Sequence, residues 1–505
     1  MNDKITNKIE FGDWQTPESL SRKVCALIQK ENPNPQIVIE PTCGRGSFIV
    51  SALKTFTDIE EVIGIEINPE YIKEVENKLS SISHKAKITL INSDALSFDF
   101  HKLAKRFEGK NILILGNPPW VTNSELSGLR SNNVPCKGNF KSFKGIEAAT
   151  GKGNFDIAEY ITLQLFSAFQ NSVGSFAFLV KNSVVKNLLL EQPKNHFTIS
   201  GIKQYLIDTK KEFNVSVAAS LLTTHFNKTS EATCAIYDFY DLTELRVFGW
   251  NKNSFVSDIS QINNLSKIDG VCQFIWRSGV KHDCSKVMEL RQIQNSFYNG
   301  LKEKVSIEEK CIYPLVKSSH LQQQNMQSER FIIITQRSTS DDTSALFHSS
   351  PLTYSYLNSH GELLDNRKSV IYKKRPRFCL FGIGDYSFKP YKVAISGLYK
   401  NYYFALLSPI KGKPIMTDDT CYQLGFDDYD DALVVQKTLN SEPVKLFLKS
   451  IAFSDAKRPI TKEVLMRIDL KKICENFTAK DIQLSQVEFG RLKRLVCTQT
   501  EELLL

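Results

Sequence analysis

Strand-like and helix-like segments alternate through the first half of this 505-residue chain, and the alternation limits the folds open to it. The apolar runs predicted to be strands are 36–40, 61–66, 87–91, 111–115, 175–180, 202–207, 216–224 and 233–239. Helical periodicity covers 17–29, 48–55, 69–79 and 155–170. Such alternation predicts an α/β fold, in which a mostly parallel sheet carries helices on both faces. Ligands of such sheets bind outside the carboxyl ends of the strands.

The strand–helix alternation fades after about residue 245, so we expect two domains, at 1–245 and 246–505, the second of mixed α+β type. Apolar residues make up 42% of the chain, and no apolar run is long enough to cross a bilayer. The N-terminus lacks the apolar core of a signal peptide, so we expect a cytoplasmic protein. The eleven cysteines form no Cys-x-x-Cys pair, and no metal site is predicted.

Acidic residues end three successive predicted strands. Glu40 precedes a turn with glycines at 44 and 46, where bare backbone lets a ligand approach and the acid can hold an ammonium group. Glu66 can accept hydrogen bonds from both hydroxyls of a ribose, and Asp94 can accept one from an adenine amino group. An amine, a ribose and an adenine together describe S-adenosylmethionine. NAD is the alternative, but it offers no role for the segment after the fourth strand.

That segment is the tetrapeptide Asn117-Pro118-Pro119-Trp120. The prolines stiffen the backbone and remove two donors, which leaves an edge of carbonyl groups beside an aromatic ring. Such an edge suits a flat ring that bears an amino group, because the carbonyls accept its protons and the indole stacks on it. The structural alternative is a rigid loop capped by a packing tryptophan.

Taken together, these segments resemble the S-adenosylmethionine-dependent DNA amino-methyltransferases, in particular the N6-adenine class with a Rossmann-like sheet. Residues 40–48, Glu66, Asp94 and 117–120 are similar to the family's first four motifs, and 212–217 to its eighth. Residues 14–18 resemble the segment that closes over the methionine end of the cofactor. The cofactor contacts that the resemblance implies are Thr16, Glu40, Thr42, Gly44, Gly46, Glu66, Ile67, Asp94 and Ala95. The catalytic residues that it implies are Asn117, Pro118, Pro119, Trp120 and Phe213.

The resemblance also implies a reaction and its partners. The carbonyls of Asn117 and Pro118 would hold the amino group of an adenine that is flipped out of double-stranded DNA between Trp120 and Phe213. The motif order is that of the gamma arrangement, in which a C-terminal target-recognition domain reads the DNA sequence. Such enzymes belong to type II restriction–modification systems, so a separate cognate endonuclease and a monomeric enzyme are expected.

Several other functions stay open. N4-cytosine methylation uses a similar edge, in which serine usually stands in place of Asn117. Methyltransferases of ribosomal RNA guanine or of protein glutamine carry a similar edge in shorter chains. C5-cytosine methylation needs a thiolate, and Cys136 lacks a convincing partner motif. A DNA-binding protein without activity is a further alternative.

Basic residues in the second half point to nucleic acid. The net charge is +9, and one short stretch without acids carries Arg367, Lys368, Lys373, Lys374, Arg375 and Arg377. This stretch is predicted to contact phosphates, the alternative being a solvated face. Residues 335–338 are predicted to contact base edges or phosphates, and 381–386 form a glycine-rich turn. The polar segment 121–154 is predicted to be a mobile lid, with disorder as the alternative.

Overall fold

The computed structural model describes residues 15–121, 156–226, 228–260, 265–324, 329–373, 375–454, 456 and 458–504. Contacts between residues divide the chain into two compact units, Met1–Ser260 and Gln261–Leu505. The predicted boundary at 245 falls inside a strand of the first unit, so the division comes later than expected.

The first unit is built on a ten-stranded sheet with the order β10-β9-β8-β6-β7-β5-β4-β1-β2-β3. Its strands are β1 (Ile37–Glu40), β2 (Glu61–Glu66), β3 (Lys87–Asn92), β4 (Asn111–Gly116), β5 (Val173–Lys181), β6 (Ile199–Ile207), β7 (Ala219–Phe226), β8 (Thr233–Asp238), β9 (Glu244–Asn251) and β10 (Ser254–Val256). From β3 to β5 the neighbours in the sheet are parallel, whereas β7 is antiparallel to both β5 and β6. Every predicted strand is therefore confirmed, and β9 and β10 are additions that the sequence pattern did not predict.

Among the described residues of this unit, seven helices pack around the sheet: α1 (Glu18–Gln29), α2 (Ser47–Thr55), α3 (Pro69–Leu79), α4 (Phe100–Arg106), α5 (Ile157–Phe169), α6 (Asn182–Asn195) and α7 (Thr209–Phe213). Side-chain caps mark the start of four of them, α3, α4, α5 and α7. The Asn68 side chain accepts from Glu70 N at 2.9 Å at the start of α3, and the Asp156 side chain accepts from Ala158 N at 3.0 Å at the start of α5.

The centre of the sheet explains where a ligand can bind. All four residues of β1 are buried, as is most of β4, because helices cover both faces. Strand order reverses between β1 and β4: the chain continues from β1 to β2 on one side and from β4 to β5 on the other. Parallel α/β sheets hold ligands in the crevice that such a reversal opens at the carboxyl ends of the strands. Glu40 and Asn117 lie at those ends.

The second unit is mixed α+β, as predicted. A four-stranded sheet has the order β11-β20-β17-β18, and a six-stranded sheet the order β14-β13-β12-β16-β15-β19. The strands are β11 (Arg277–Ser278), β12 (Glu289–Ile293), β13 (Ser296–Asn299), β14 (Lys304–Val305), β15 (Ile312–Val316), β16 (Arg330–Ile333), β17 (Tyr391–Ser396), β18 (Ala405–Leu407), β19 (Met416–Thr417) and β20 (Cys421–Phe426).

Its α-helices are short except near the C-terminus: α8 (Leu265–Ile268), α9 (Ser285–Met288), α10 (Ser318–Gln322), α11 (Leu346–Ser349), α12 (Pro351–Ser359), α13 (Gly361–Asp365), α14 (Asp385–Phe388), α15 (Tyr429–Leu439), α16 (Glu442–Ile451), α17 (Lys462–Leu465), α18 (Leu470–Asn476) and α19 (Gln486–Leu504). Within the described ranges, no helix of either unit combines the length and the apolar character needed to cross a membrane.

Candidate active site

The turn after β1 keeps a stretch of backbone bare. Gly44 has a φ of +49° and Gly46 a φ of +75°, a conformation that side chains with a Cβ rarely adopt. A Cβ at Gly46 would lie 2.9 Å from Val75 Cγ2, so the turn also packs too closely against α3 for any other residue. The glycines that the sequence singled out are therefore required by both conformation and space.

The segment before α1 covers this turn. Gln15 Oε1 accepts from Arg45 N at 3.2 Å, and the Gln15 side chain occupies the space in which a Cβ at Gly44 would lie. Thr16 follows and is 9% exposed. The structure thus brings Gln15 and Thr16 to the glycine turn, whereas Trp14 lies outside the described residues.

Two oxygen atoms beside the turn are buried acceptors. Among the described residues, neither Glu40 Oε2 nor Thr42 Oγ1 has a hydrogen-bond partner. Glu40 is 3% exposed, and burial raises the pKa of its carboxyl well above the ordinary value, with the nearby Glu66 acting in the same direction. Buried acceptors without partners cost free energy. A ligand with an ammonium or hydroxyl donor would form hydrogen bonds with these acceptors and thereby remove this free-energy cost.

Glu66, at the end of β2, braces the same turn. Its Oε2 accepts from Gly44 N at 2.9 Å and its Oε1 from Asn68 N at 2.9 Å. The sequence indicated Glu66 as a ligand-binding acid but gave no sign of this bracing role. Backbone donors on both carboxylate oxygens thus fix the orientation of Glu66 beside the turn.

The third acid closes the turn after β3. Asp94 Oδ1 accepts from Leu96 N at 2.9 Å, and Ala95 beside it is buried. At the end of the neighbouring strand, the Ile67 side chain is 39% exposed, although it is apolar.

The tetrapeptide after β4 lies next to this crevice. Asn117 and Pro119 are half-buried, whereas Pro118 and Trp120 are buried. The Trp120 indole donates from Nε1 to Leu179 O of β5 at 3.0 Å, which fixes the ring against the sheet. The edge of carbonyls predicted from the sequence is therefore anchored by its tryptophan.

The Trp120 and Phe213 rings contact each other directly. Their centroids are 5.2 Å apart with an interplanar angle of 67°, so the rings touch edge to face, and the sandwich around a bound base stays a prediction. Trp120 is only 6% exposed, because its N–H reaches an acceptor on β5 and the ring must follow. Phe213, half-buried at the end of α7, is the ring that can offer a face to a ligand.

An ion pair that the sequence analysis missed lies nearby. Lys181 Nζ, at the end of β5, is 2.8 Å from Asp156 Oδ2, and both side chains are largely buried. Burial raises the pKa of Asp156, although Lys181 acts to lower it. Ile157 N donates to Val121 O at 3.0 Å, which joins the start of α5 to the residue after the tetrapeptide. Apart from Val121, the predicted lid at 121–154 lies outside the described residues, as does Cys136.

Part of the basic stretch in the second unit has internal partners. Arg367 donates to the carbonyl oxygens of Leu364, Arg377 and Cys379 at 2.7 to 2.9 Å, and Arg377 pairs with Asp365 at 2.7 Å. Both guanidinium groups therefore have partners within the chain, and the expectation that this stretch contacts phosphates stays a prediction. Lys368, Lys373 and Arg375 are exposed and form no ion pair within the described part of the chain, which does not include Lys374.

The described residues contain no group of three or more His, Cys, Asp or Glu side chains placed to hold a metal ion. Sheet order, glycine turn and acids at successive strand ends define an α/β methyltransferase of the Rossmann-like type. The N-6 DNA Methylase family model matches residues 4–262. The chain belongs to this family, which confirms the resemblance predicted from the motifs.

Two relatives and one solved structure extend the comparison. Type II methyltransferase M.NspV from Nostoc sp. is 38% identical over 471 residues, which span 93% of this chain and 98% of that protein. Ribosomal RNA small subunit methyltransferase A from Mycoplasma capricolum is 28% identical over 91 residues, or 18% of this chain. The type IIL restriction-modification enzyme MmeI, solved in complex with DNA, aligns with a TM-score of 0.52 at 14% identity, over 98% of this chain and 73% of that one. That likeness shows the fold alone.

Proposed function

We propose that this chain is a DNA adenine N6-methyltransferase that uses S-adenosylmethionine and acts as the modification enzyme of a type II restriction–modification system. The observation that carries the proposal is the placement of the Asn117–Trp120 edge beside the buried acceptor of Glu40, at the ends of neighbouring strands β4 and β1. Family membership and the likeness to M.NspV support it. A separate endonuclease, a monomeric enzyme and a location in the bacterial cytosol belong to the same proposal.

The residues at the crevice fit the cofactor. Glu40 and Thr42 offer buried acceptors to its amino-acid end, and the bare backbone at Gly44 and Gly46 leaves room for it under Thr16. Glu66 would accept from the ribose hydroxyls, and Asp94 with Ala95 and Ile67 would hold the adenine ring. When bound, S-adenosylmethionine supplies an electrophilic methyl group on a sulfonium sulfur.

The chain's own contribution to the chemistry is positioning. The Asn117 side-chain carbonyl and the Pro118 backbone carbonyl would accept the two amino protons of the target adenine, which turns the nitrogen lone pair out of conjugation with the ring. That lone pair then forms the bond to the methyl carbon while the carbon–sulfur bond breaks, and the nitrogen afterwards loses a proton to water. Asn117 is not a base, so orientation and electrostatics supply the rate.

Adenine is favoured over cytosine because asparagine, not serine, opens the tetrapeptide. The amino group of adenine is paired inside a duplex, so the base must leave the stack to reach this edge. Phe213 would then stack on the extruded base.

Sequencing DNA from cells that express this chain, with detection of modified bases, tests the proposal. We expect N6-methyladenine at one short sequence motif and at no other site. Purified protein with tritiated cofactor should label unmodified duplex DNA, but not RNA or protein. Labelled cytosine, labelled RNA or an absence of labelling would contradict the proposal.

Phe213→Ala and Trp120→Ala are expected to differ. Loss of Phe213 should weaken capture of the extruded base by about 1–3 kcal/mol, the usual range for base–aromatic stacking, with little effect on folding. Loss of Trp120 should lower the free energy of unfolding by about 3–5 kcal/mol, because it leaves a cavity and an unpaired Leu179 carbonyl. Thermal denaturation and the fluorescence of 2-aminopurine at the target position measure the two effects. Equal loss of stability in both variants would show that Phe213 is structural too.

Lys368→Ala and Lys373→Ala are expected to weaken binding to all DNA sequences alike. Each lost phosphate contact should reduce the slope of log K against log salt by about 0.9, without changing which site is methylated. Arg377→Ala is the matched control, because that guanidinium is already paired with Asp365. A salt titration on cognate and unrelated duplexes measures both. An unchanged slope in the lysine variants would remove them from the DNA interface.

A further inference from the structure

Two exposed arginines of the second unit lie on aromatic rings of one short helix, α14. The Arg277 guanidinium is 5.4 Å from the centroid of the Tyr386 ring, and that of Arg337 is 4.1 Å from the centroid of the Phe388 ring. Within the described ranges, neither arginine has a carboxylate partner. Their positive charges are therefore uncompensated, while the rings restrict their orientation.

The rings are themselves held in place. The segment before α14 pairs with the chain that leaves β11: Lys281 N donates to Phe381 O at 2.8 Å, and Phe381 N donates to Lys281 O at 3.0 Å. Gly382 has a φ of +64°, and a Cβ there would lie 2.1 Å from Gly279 O. This close approach explains the glycine-rich turn that the sequence showed. The turn fixes α14 against the strand that bears Arg277.

The Phe388 side is fixed in a similar way. The Tyr313 ring contacts the Phe388 ring, with 5.7 Å between the ring centroids and an interplanar angle of 79°. Arg337 N donates to Asp341 Oδ2 at 3.0 Å, which holds the backbone from which the arginine projects. Each guanidinium therefore rests on a ring that its own surroundings keep in place.

Neighbouring polar side chains, by contrast, already have hydrogen-bond partners within the chain. Thr335 donates to Phe378 O at 2.9 Å, and Gln336 bonds to Ser338 O at 2.7 Å and Leu380 N at 3.0 Å. The Arg367 guanidinium donates to backbone carbonyls, and the Arg377 guanidinium pairs with Asp365. In the predicted segment 335–338, Ser338 Oγ also lies 3.0 Å from Ser340 Oγ, so Arg337 is the side chain that has no hydrogen-bond partner among the described residues.

We propose that Arg277 and Arg337 read guanine bases in the target DNA through the major groove, an inference that rests on the proposed function. Guanine presents two acceptors there, O6 and N7, and the planar fork of an arginine pairs with both. An arginine fork also binds a phosphate through two hydrogen bonds, but only the contact with a base edge depends on the DNA sequence. The methylated sequence should therefore contain guanine.

The test begins with the sequence that the parent enzyme methylates. Replacing a contacted guanine by 7-deazaguanine removes the N7 acceptor and should lower kcat/KM about 10- to 100-fold. Arg277→Lys and Arg337→Lys keep the charge but lose the fork, so each should cause a similar loss on unmodified DNA. In the variant that lacks the reading arginine, 7-deazaguanine should cause no further loss. Arg291→Ala, an exposed arginine of β12 outside any ring contact or ion pair in the described chain, is the control and should behave like the parent.

The outcomes separate the inference from the function on which it rests. A parent enzyme that fails to methylate DNA overturns both. A parent enzyme that methylates DNA while the lysine variants keep full activity at the same site overturns the inference alone. So does an Arg277→Ala or Arg337→Ala variant that loses affinity on all sequences equally with a reduced salt slope, because that result makes the arginine a phosphate contact. Thermal denaturation of each variant excludes misfolding as the cause of any loss.

Discussion

Asn117→Ala is expected to abolish methyl transfer while cofactor binding survives. Asn117 lies at the end of β4 and would hold the reacting amine, whereas the cofactor side of the crevice is built from Glu40, Glu66 and Asp94 at the ends of other strands. Removing one preorganised polar group from a reacting centre costs about 10²- to 10³-fold in kcat. The fall should appear in kcat and kcat/KM together, because the interaction strengthens in the transition state.

Single-turnover transfer of tritiated methyl groups measures this loss, and calorimetry measures cofactor affinity separately. Asn34→Ala provides the matched control. Asn34 is exposed and precedes β1, so it lies at the opposite end of the strands from Asn117. An Asn117→Ala enzyme that methylates DNA near the normal rate would refute the role assigned to the tetrapeptide.

Glu40→Gln should weaken cofactor binding and at the same time stabilise the free protein. The charged hydrogen bond to the cofactor's amino group is worth about 1.5–3 kcal/mol, so affinity should fall about 10- to 100-fold. In the free protein, the buried carboxylate has a pKa well above its ordinary value because of burial. Its contribution to folding is therefore fully present below the unfolded pKa of 4.5 and is lost as pH rises through the folded pKa. Glutamine removes this pH dependence.

Glu61→Gln is the control, for which we expect the opposite change in the stability of the free protein. Glu61 begins β2, and although burial alone would raise its pKa, hydrogen bonds from Thr89 and Arg106 lower it. Its stabilising effect is present above pH 4.5 and is lost as pH falls, so the glutamine variant should be less stable near neutral pH. Thermal denaturation from pH 4 to pH 8, with and without cofactor, measures both variants. If Glu40→Gln instead destabilises the cofactor-free protein, the Glu40 carboxylate has a hydrogen-bond or ion-pair partner in that state, and the prediction fails.

Apolar runs sufficed to predict the central strands because those strands are buried on both faces. The strands β9 and β10, at one end of the sheet, escaped prediction, since much of β9 is half-buried or exposed and its sequence is partly polar. The site residues that follow strands were predictable, because parallel strands bring their carboxyl ends together. Which partners those residues have was not. The bond from Trp120 to Leu179 O and the pair between Arg377 and Asp365 arise from tertiary contacts that local pattern does not encode.

The hydrogen bond between Ile157 N and Val121 O has a consequence for how this chain can diversify. Because the two backbone groups bond directly to each other, the end of β4 and the start of α5 are held together whatever the number of residues between them. The entropy cost of closing a loop rises by only about 0.6 kcal/mol for each doubling of its length. Insertions, deletions or replacements between Val121 and Asp156 should therefore leave β4 and α5 in place, which offers a position for grafting a different sequence after the Asn117–Trp120 tetrapeptide.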